Sequence, residues 1–418
     1  MKAKLILVFN LFIFINQLTA QRSCPTLTYL QEQLKNDPSL LEKINAIETF
    51  TRQQNTTTNN SHLRTNQENI IKIPVVIHIL YHQPYENITD AQVYSQLEAL
   101  NRDYRRKGAD TANTPAVFKP LAADCEIEFQ LAISDPRRRS TTGIIRKYTP
   151  IAYWQADDKM KFSSEMGDDA WDAKSYLNIW VCNLERVAGY SSVPGGPDDK
   201  DGVVIGYPVF GTINTTSGFD MGKTAVHEVG HWLNLKHTWG DTDCGDDLVD
   251  DTPKQRDYNQ GCPSGIRISC GNGPNGDMYM NYMDFVNDAC MNLFTNGQKA
   301  RMRALFAPGG VRNSILSSTG LSTPLIVEIP RPDESPAWLH PQLYPNPATT
   351  EMTLDLTYDI RWIGKVLKVT NQQGQIVMQI TIDSKNQKIN VSRLQPGMYF
   401  INAKKDDGDF IKQKFIKF

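Results

Sequence analysis

Beyond its first twenty residues the chain lacks any apolar run approaching the roughly twenty residues that cross a bilayer. It also lacks a charge excess: 44 Lys and Arg against 46 Asp and Glu leave a formal net charge of −2, with no polybasic stretch. A basic face for nucleic acid and a cationic patch for anionic lipid are therefore both missing, and neither partner is expected. Cysteine is sparse and odd in number, seven in 418 residues. At that length one ordinary core does not suffice, so two or three domains are expected.

The opening "MKAKLILVFNLFIFINQLTA" combines two lysines, a short apolar run from Leu5 to Ile15 and a polar stretch ending in Ala20. It reads as a secretory signal over residues 1–20, since a membrane anchor needs a longer run. An exported chain with seven cysteines implies disulfides plus one thiol left over.

Residues 21–64 read as a propeptide and cleavable tether. "LTYLQEQL" and "SLLEKINAIETF" are two short amphipathic helical patterns, followed by the polar "TRQQNTTTNNSHLRTNQEN", which carries Arg52 and Arg64 and reads as a linker open to cleavage. "IKIPVVIHILYH" then opens the core of a domain over 65–321 as a buried strand. Thr89 and Gln92 form a capping box ahead of an amphipathic helix over 90–106. "CEIEFQLAI" and "SYLNIWVCNL" are further strands, giving an α/β sheet with helices packed on it. Cys125 and Cys182 lie at those strands, either as a pair or as two buried thiols. In the Gly- and Pro-rich 189–211, "GVVIGYPVF" is a candidate edge strand above a cleft, where an extended substrate adds main-chain hydrogen bonds. Residues 322–341 hold five prolines and read as an extended linker. From 342 to 418, six short alternating segments separated by turn residues predict a small all-β sandwich.

The densest chemistry lies in "HEVGHWLNLKHTWGD", where three of the seven histidines fall within eleven residues. On a helix His227 and His231 share one face and reach the same ion. Glu228 then lies beside them, placed to act on a metal-bound water without ligating. His237 comes six residues after His231, so the helix must turn back before it. Asn234 stands at that turn and accepts a left-handed backbone more readily than most residues. Three protein ligands with one open position describe catalytic zinc rather than a closed structural site. Zinc lowers the pKa of its bound water to about 7, and Glu228 carries its proton to the leaving amine, which amounts to peptide hydrolysis without an acyl-enzyme.

"HEVGHWLNLKH" resembles the extended zinc motif of the metzincins, HExxHxxGxxH, with Asn234 at the glycine position. "MNYMDF" resembles their Met-turn, which puts Met283 beneath the zinc. "HTWGD", "DDTPKQ" and "NDACMNLFTNGQKARM" are most similar to the pappalysin family of secreted metallopeptidases, over roughly 70–315. That resemblance implies a mixed twisted sheet with a zinc-binding active-site helix, and disulfides Cys244–Cys270 and Cys262–Cys290. It makes Asp288 a specificity carboxylate favouring Arg, then Lys, just after the scissile bond. It also implies structural calcium near Asp247, Asp250, Asp251 and Thr252, which are hard oxygen ligands although an acidic surface turn has the same composition. Phe285 stands where the family often has a tyrosine that assists the oxyanion, and Tyr282 is the nearest other hydroxyl in sequence. The left-over Cys24 resembles the cysteine switch of several metzincins, its thiolate taking zinc's open position in a latent zymogen. The last domain, through "LYPNPATTEMTLDL", "NQQGQIV", "LQPGMYFI" and "FIKF", resembles the type A sorting domain of the type IX secretion system.

The expectation is a secreted or cell-surface zinc endopeptidase, exported through the periplasm of a Gram-negative bacterium, with protein or peptide substrates and the secretion machinery as partners. The competing reading is a binding module that keeps the fold and has lost activity, suggested by Asn234 and Phe285.

Overall fold

The computed structural model describes residues 24–60, 70–327, 340–405 and 410–418. The signal segment, Arg64 and most of the proline-rich linker lie outside these residues. Among the described residues no helix is long and apolar enough to cross a membrane.

Two helices come first, α1 (Thr26–Asn36) and α2 (Leu40–Asn60). The second runs ten residues into the polar stretch read as a linker. Ile47 packs on the main core and Thr51 is fully buried, so tertiary contact carries the helix where composition alone predicts none. Arg52 consequently sits on a helix, exposed and paired with Glu48 at 3.2 Å.

The larger unit is built on β1 (Ile71–Tyr81), α3 (Asp90–Tyr104), β2 (Ile127–Leu131), β3 (Ile144–Tyr148), β4 (Leu177–Cys182), β5 (Gly189–Ser191) and β6 (Val203–Gly206). β1 is the spine of a mixed sheet. Its first half pairs with β2, its second half with β3, and its other edge with β4, all parallel. β6 continues in parallel beyond β4, and β5 closes the sheet antiparallel to β6. A near-continuous Val/Ile run is buried on both faces, as the sequence predicts: α3 and the next helix cover the face of Ile73, Val75, Ile77 and Ile79, and the chain around Trp154, Met160 and Tyr176 covers that of Val76 and Leu80.

Three expectations need correction. The edge strand is β5, not the "GVVIGYPVF" segment. Val203–Gly206 has partners on both sides, because the short chain between the two strands folds β5 back outside it. Thr89 caps α3 through Gln92 N–H at 3.2 Å, but the Gln92 side chain does not return the bond. It donates instead to the Phe210 carbonyl at 2.8 Å, tying α3 to the next layer. β3 was not anticipated, its alternation being too short and too polar to stand out. Cys125 and Cys182 are two buried free thiols.

The active-site helix α4 (Lys223–Trp232) and α5 (Asn296–Ala304) follow. The unit extends slightly past residue 321, since Ile326 pairs with Arg139 and its carbonyl accepts from Ser140 N–H at 2.7 Å. The C-terminal sandwich has seven strands: β7 (Gln342–Tyr344), β8 (Glu351–Asp355), β9 (Val366–Thr370), β10 (Ile376–Thr381), β11 (Asn386–Asn390), β12 (Gly397–Lys404) and β13 (Phe410–Lys417). They form sheets ordered β10-β9-β12-β13 and β11-β8-β7 around a core that includes Leu354, Trp362, Val369, Ile401 and Phe415.

Candidate active site

Every residue of α4 is buried. Asp288 anchors its start, one carboxylate oxygen accepting from the N–H groups of Met221 and Lys223 at 3.0 and 3.1 Å. These donors would otherwise be orphaned at a helix N-terminus. Its end is anchored by residues the sequence reading missed. Arg312 lies flat over Trp232 at 3.5 Å, donates to the Trp232 carbonyl at 3.0 Å and grips buried Asp201 through both oxygens at 2.9 and 3.1 Å. Burial raises the Asp201 carboxyl, but the Arg312 guanidinium outweighs it and holds the group below its usual range.

The helix stops as its sequence allows. Asn234 has φ +70°, its N–H donates to the His231 carbonyl, and Leu235 N–H donates to the Gly230 carbonyl, both at 2.9 Å. This is a Schellman turn with asparagine in the left-handed position. The turn swings His237 back, so that the Nε2 atoms of His227 and His237 each lie 3.1 Å from that of His231.

All three rings are held from behind. Nδ1–H of His227 donates to the Tyr282 carbonyl at 2.7 Å and that of His231 to the Leu235 carbonyl at 2.9 Å, while His237 Nδ1 meets Asp241. Fixing the proton on Nδ1 leaves each Nε2 as a lone pair aimed inward. Burial, then the nearby His237, lowers the His231 pKa to about 3, so the ring is neutral. Ring nitrogens brought this close together are crowded unless a cation sits among them. The donor set therefore fits a metal ion of zinc's type.

Glu228 is buried beside the trio. β5 can approach it because Gly189 has no side chain: a Cβ there would stand 2.8 Å from the Val204 carbonyl and 3.2 Å from Glu228 Cγ. Met283 packs beneath the helix so closely that a Cβ on Gly230 would meet its sulfur at 2.5 Å. Phe285 and Trp239 wall the site, their rings 5.0 and 4.2 Å from His237. Tyr282 does not replace the hydroxyl Phe285 lacks: it is buried, with its ring packed on Phe294 at 4.8 Å and its hydroxyl in the field of Asp103.

The fourth face belongs to the N-terminal segment. Cys24 joins His227, His231 and His237 in one cluster whose ligand atoms lie within 4.8 Å of one another. Its sulfur is 3.4 Å from Glu228 Oε2, which also accepts from the Thr26 hydroxyl at 3.3 Å. Burial, then Glu228, push the thiol well above its usual range, so a thiolate here requires a cation.

Cys244–Cys270 and Cys262–Cys290 are bonded as the resemblance implies. The calcium expectation fares differently. Asp247 accepts from Thr252, Asp251 accepts from Gly297 N–H, and Asp250 faces solvent. Among the described residues no three carboxylates converge there.

Residues 161–307 match the family described as Pregnancy-associated plasma protein-A, a peptidase family, and 342–417 match a secretion system C-terminal sorting domain. An extracellular metalloprotease of Verticillium alfalfae is 34% identical over 229 residues, covering 52% of this chain and 69% of that protein. The chain belongs to the pappalysin family of metallopeptidases. Alignments with other fungal extracellular metalloproteases span from 31% to 76% of their length. Mature mirolysin of Tannerella forsythia, solved with a cleaved peptide, is 47% identical with a TM-score of 0.58, covering 59% of this chain and 96% of its own. A promirolysin mutant from the same organism is 42% identical with a TM-score of 0.63, covering 71% and 96%. The longer match to the proenzyme includes more of this pappalysin than the mature form does. This is a secreted metalloprotease with a type IX sorting domain at its C-terminus.

Proposed function

We propose that the chain is a latent zinc endopeptidase in which His227, His231 and His237 hold the metal, Glu228 is the proton carrier and Cys24 is the plug. The observation that carries this reading is the convergence of three back-bonded imidazoles with a thiol on their remaining face. When bound, zinc supplies a Lewis acid that polarises the scissile carbonyl and makes water acidic enough to attack near neutral pH. Glu228, desolvated and adjacent, accepts the proton from that water and returns it to the departing amine. β5 offers the backbone edge along which an extended peptide lies. In the precursor, the segment that begins α1 lies against this edge through Thr26 and brings Cys24 into the position water needs, and removal of the propeptide frees both.

Asp288, a buried carboxylate beside the start of α4, is the group to which this reading assigns a preference for Arg, then Lys, just after the cut. The sorting domain from 342 onward passes the chain to the secretion machinery and takes no part in hydrolysis.

The test is to activate the purified chain, digest a peptide mixture with and without a chelator, and read the cleaved bonds. Cleavage before arginine, lost with the chelator and restored by zinc, is expected. Cleavage that survives both the chelator and Glu228→Ala would end the reading. Cuts without arginine after them would remove the role of Asp288 alone.

A further inference from the structure

Outside the catalytic trio, one charged pair is buried beneath the propeptide. Asp158 and Lys161 are 2% and 0% exposed, with Lys161 Nζ 2.8 Å from Asp158 Oδ1. Lys161 also donates to the Lys200 carbonyl at 2.8 Å and lies 5.4 Å from the centre of the Trp180 ring and 5.1 Å from that of Tyr190. The Tyr190 hydroxyl donates to Asp158 Oδ1 at 3.2 Å. All these groups belong to the catalytic unit and hold the carboxylate in one orientation. Its other oxygen, Oδ2, receives the hydroxyl of Tyr29 at 2.7 Å. The Tyr29 ring packs 5.0 Å from that of Tyr190 and is 6% exposed.

Tyr29 therefore sits in a socket made by the enzyme, with aromatic walls, the Lys161 side chain beside its ring and the Asp158 carboxylate accepting from its hydroxyl. Three residues earlier in the same helix, Thr26 touches Glu228 and accepts from the N–H of Ser191 on the edge strand at 3.1 Å. Three helical residues rise about 4.5 Å, and extended chain advances about 3.3 Å per residue. The socket thus lies within two or three substrate residues of the bond to be cut.

We infer that this socket is a specificity subsite for a tyrosine side chain of the substrate, occupied in the precursor by Tyr29. It deepens the protease reading and rests on it. A pocket built around a buried carboxylate discriminates by the hydroxyl: with phenylalanine in place, Asp158 Oδ2 loses its hydrogen bond and keeps only Lys200 Nζ, 3.8 Å away.

The activated enzyme is tested on peptides that differ only in carrying Tyr or Phe, at each of the three positions on either side of the cleaved bond. At one position Tyr should exceed Phe in kcat/KM by about tenfold or more. The double substitution Asp158→Leu with Lys161→Met removes both charges together, so that neither is left buried alone, and should bring the ratio close to one. As a measurement independent of that variant's folding, N-acetyltyrosinamide should inhibit the wild-type enzyme more strongly than N-acetylphenylalaninamide. Equal rates for Tyr and Phe at all six positions, or a preference that survives the double substitution, would overturn the inference. If neither peptide is cut by zinc-loaded enzyme, the protease reading itself fails and takes this one with it.

Discussion

Glu48→Ala should unlatch the precursor without touching the metal site. Glu48 lies on α2 and meets Arg301 on α5 through both oxygens, at 2.9 and 2.5 Å. Arg301 is 2% exposed, and its Nε donates to the Asn234 carbonyl at 2.6 Å, at the turn that sets His237. The propeptide is thus tied to the back of the zinc-binding turn as well as to its open face. Charge-assisted bonds to a buried group are worth about 1.5–3 kcal/mol, and two parallel bonds to one carboxylate do not add fully, so the loss is about 2–4 kcal/mol. At 1.4 kcal/mol per factor of ten, this is about thirtyfold to several hundredfold in the docking equilibrium. Because the segment is tethered, the open fraction rises by that factor for as long as it remains the minor state. The assay is the rate at which trace mature enzyme converts the precursor, followed by gel and by a quenched peptide. Glu48 also gives the latch a pH dependence. Burial raises its carboxyl, yet Arg301 and then Arg52 bring it below the usual range. A depressed docked-state pKa means the stabilisation is complete above the undocked value of about 4.3 and is lost as pH falls through the lower docked value. Wild-type precursor should therefore open more readily in acid, and Glu48→Ala should flatten that response. Conversion rates within threefold of wild type at neutral pH would refute the latch.

Four further outcomes are expected. Cys24→Ala should leave the fold unchanged and speed the precursor's own conversion, because the docked segment opens more often once the thiol no longer closes the site, followed by gel without added mature enzyme. Gly230→Ala drives a methyl against the Met283 sulfur and should cost about 1–3 kcal/mol, seen as a lower melting temperature together with weaker zinc retention. Arg312→Ala leaves Asp201 buried without its cation and should cost about 3–5 kcal/mol by denaturant titration. With Arg312 present, the Asp201 contribution holds above the unfolded pKa of about 3.9 and disappears as pH falls through its depressed folded value, a slope the variant should lack. Asn234→Gly relieves a left-handed asparagine and should raise stability by a few tenths to about 1 kcal/mol, with activity retained; a fall in stability would show that the Asn234 side chain matters more than its backbone.

The three converging histidines were legible because their geometry is local. Four residues make one helical turn, which alone puts His227 and His231 on a common face. Asn234 is one of the few residue types that can end that turn and bring His237 round. The sandwich was legible for a similar reason, since period-two alternation between turn residues needs no knowledge of distant chain. The boundary of α2 was not legible, because buried Thr51 and core-packed Ile47 stabilise a helix whose own sequence is polar.

What lay beyond the sequence was whatever depends on the path of the chain. The odd cysteine count implied a left-over thiol and the resemblance pointed to Cys24, one of three free cysteines, but only the fold carries it across 204 residues to Glu228. The same holds for Asp241 behind His237, for Arg312 and Asp201 at the end of α4, and for β5 rather than β6 at the sheet edge. Asp288 was named from its place after the Met-turn, yet its grip on the start of α4 exists only because the two segments pack together. Periodicity and turn chemistry operate over a handful of residues and are written into the order of the side chains. Which distant groups meet is decided by the packing of a whole sheet and its helices, a property of the folded chain that no short stretch contains.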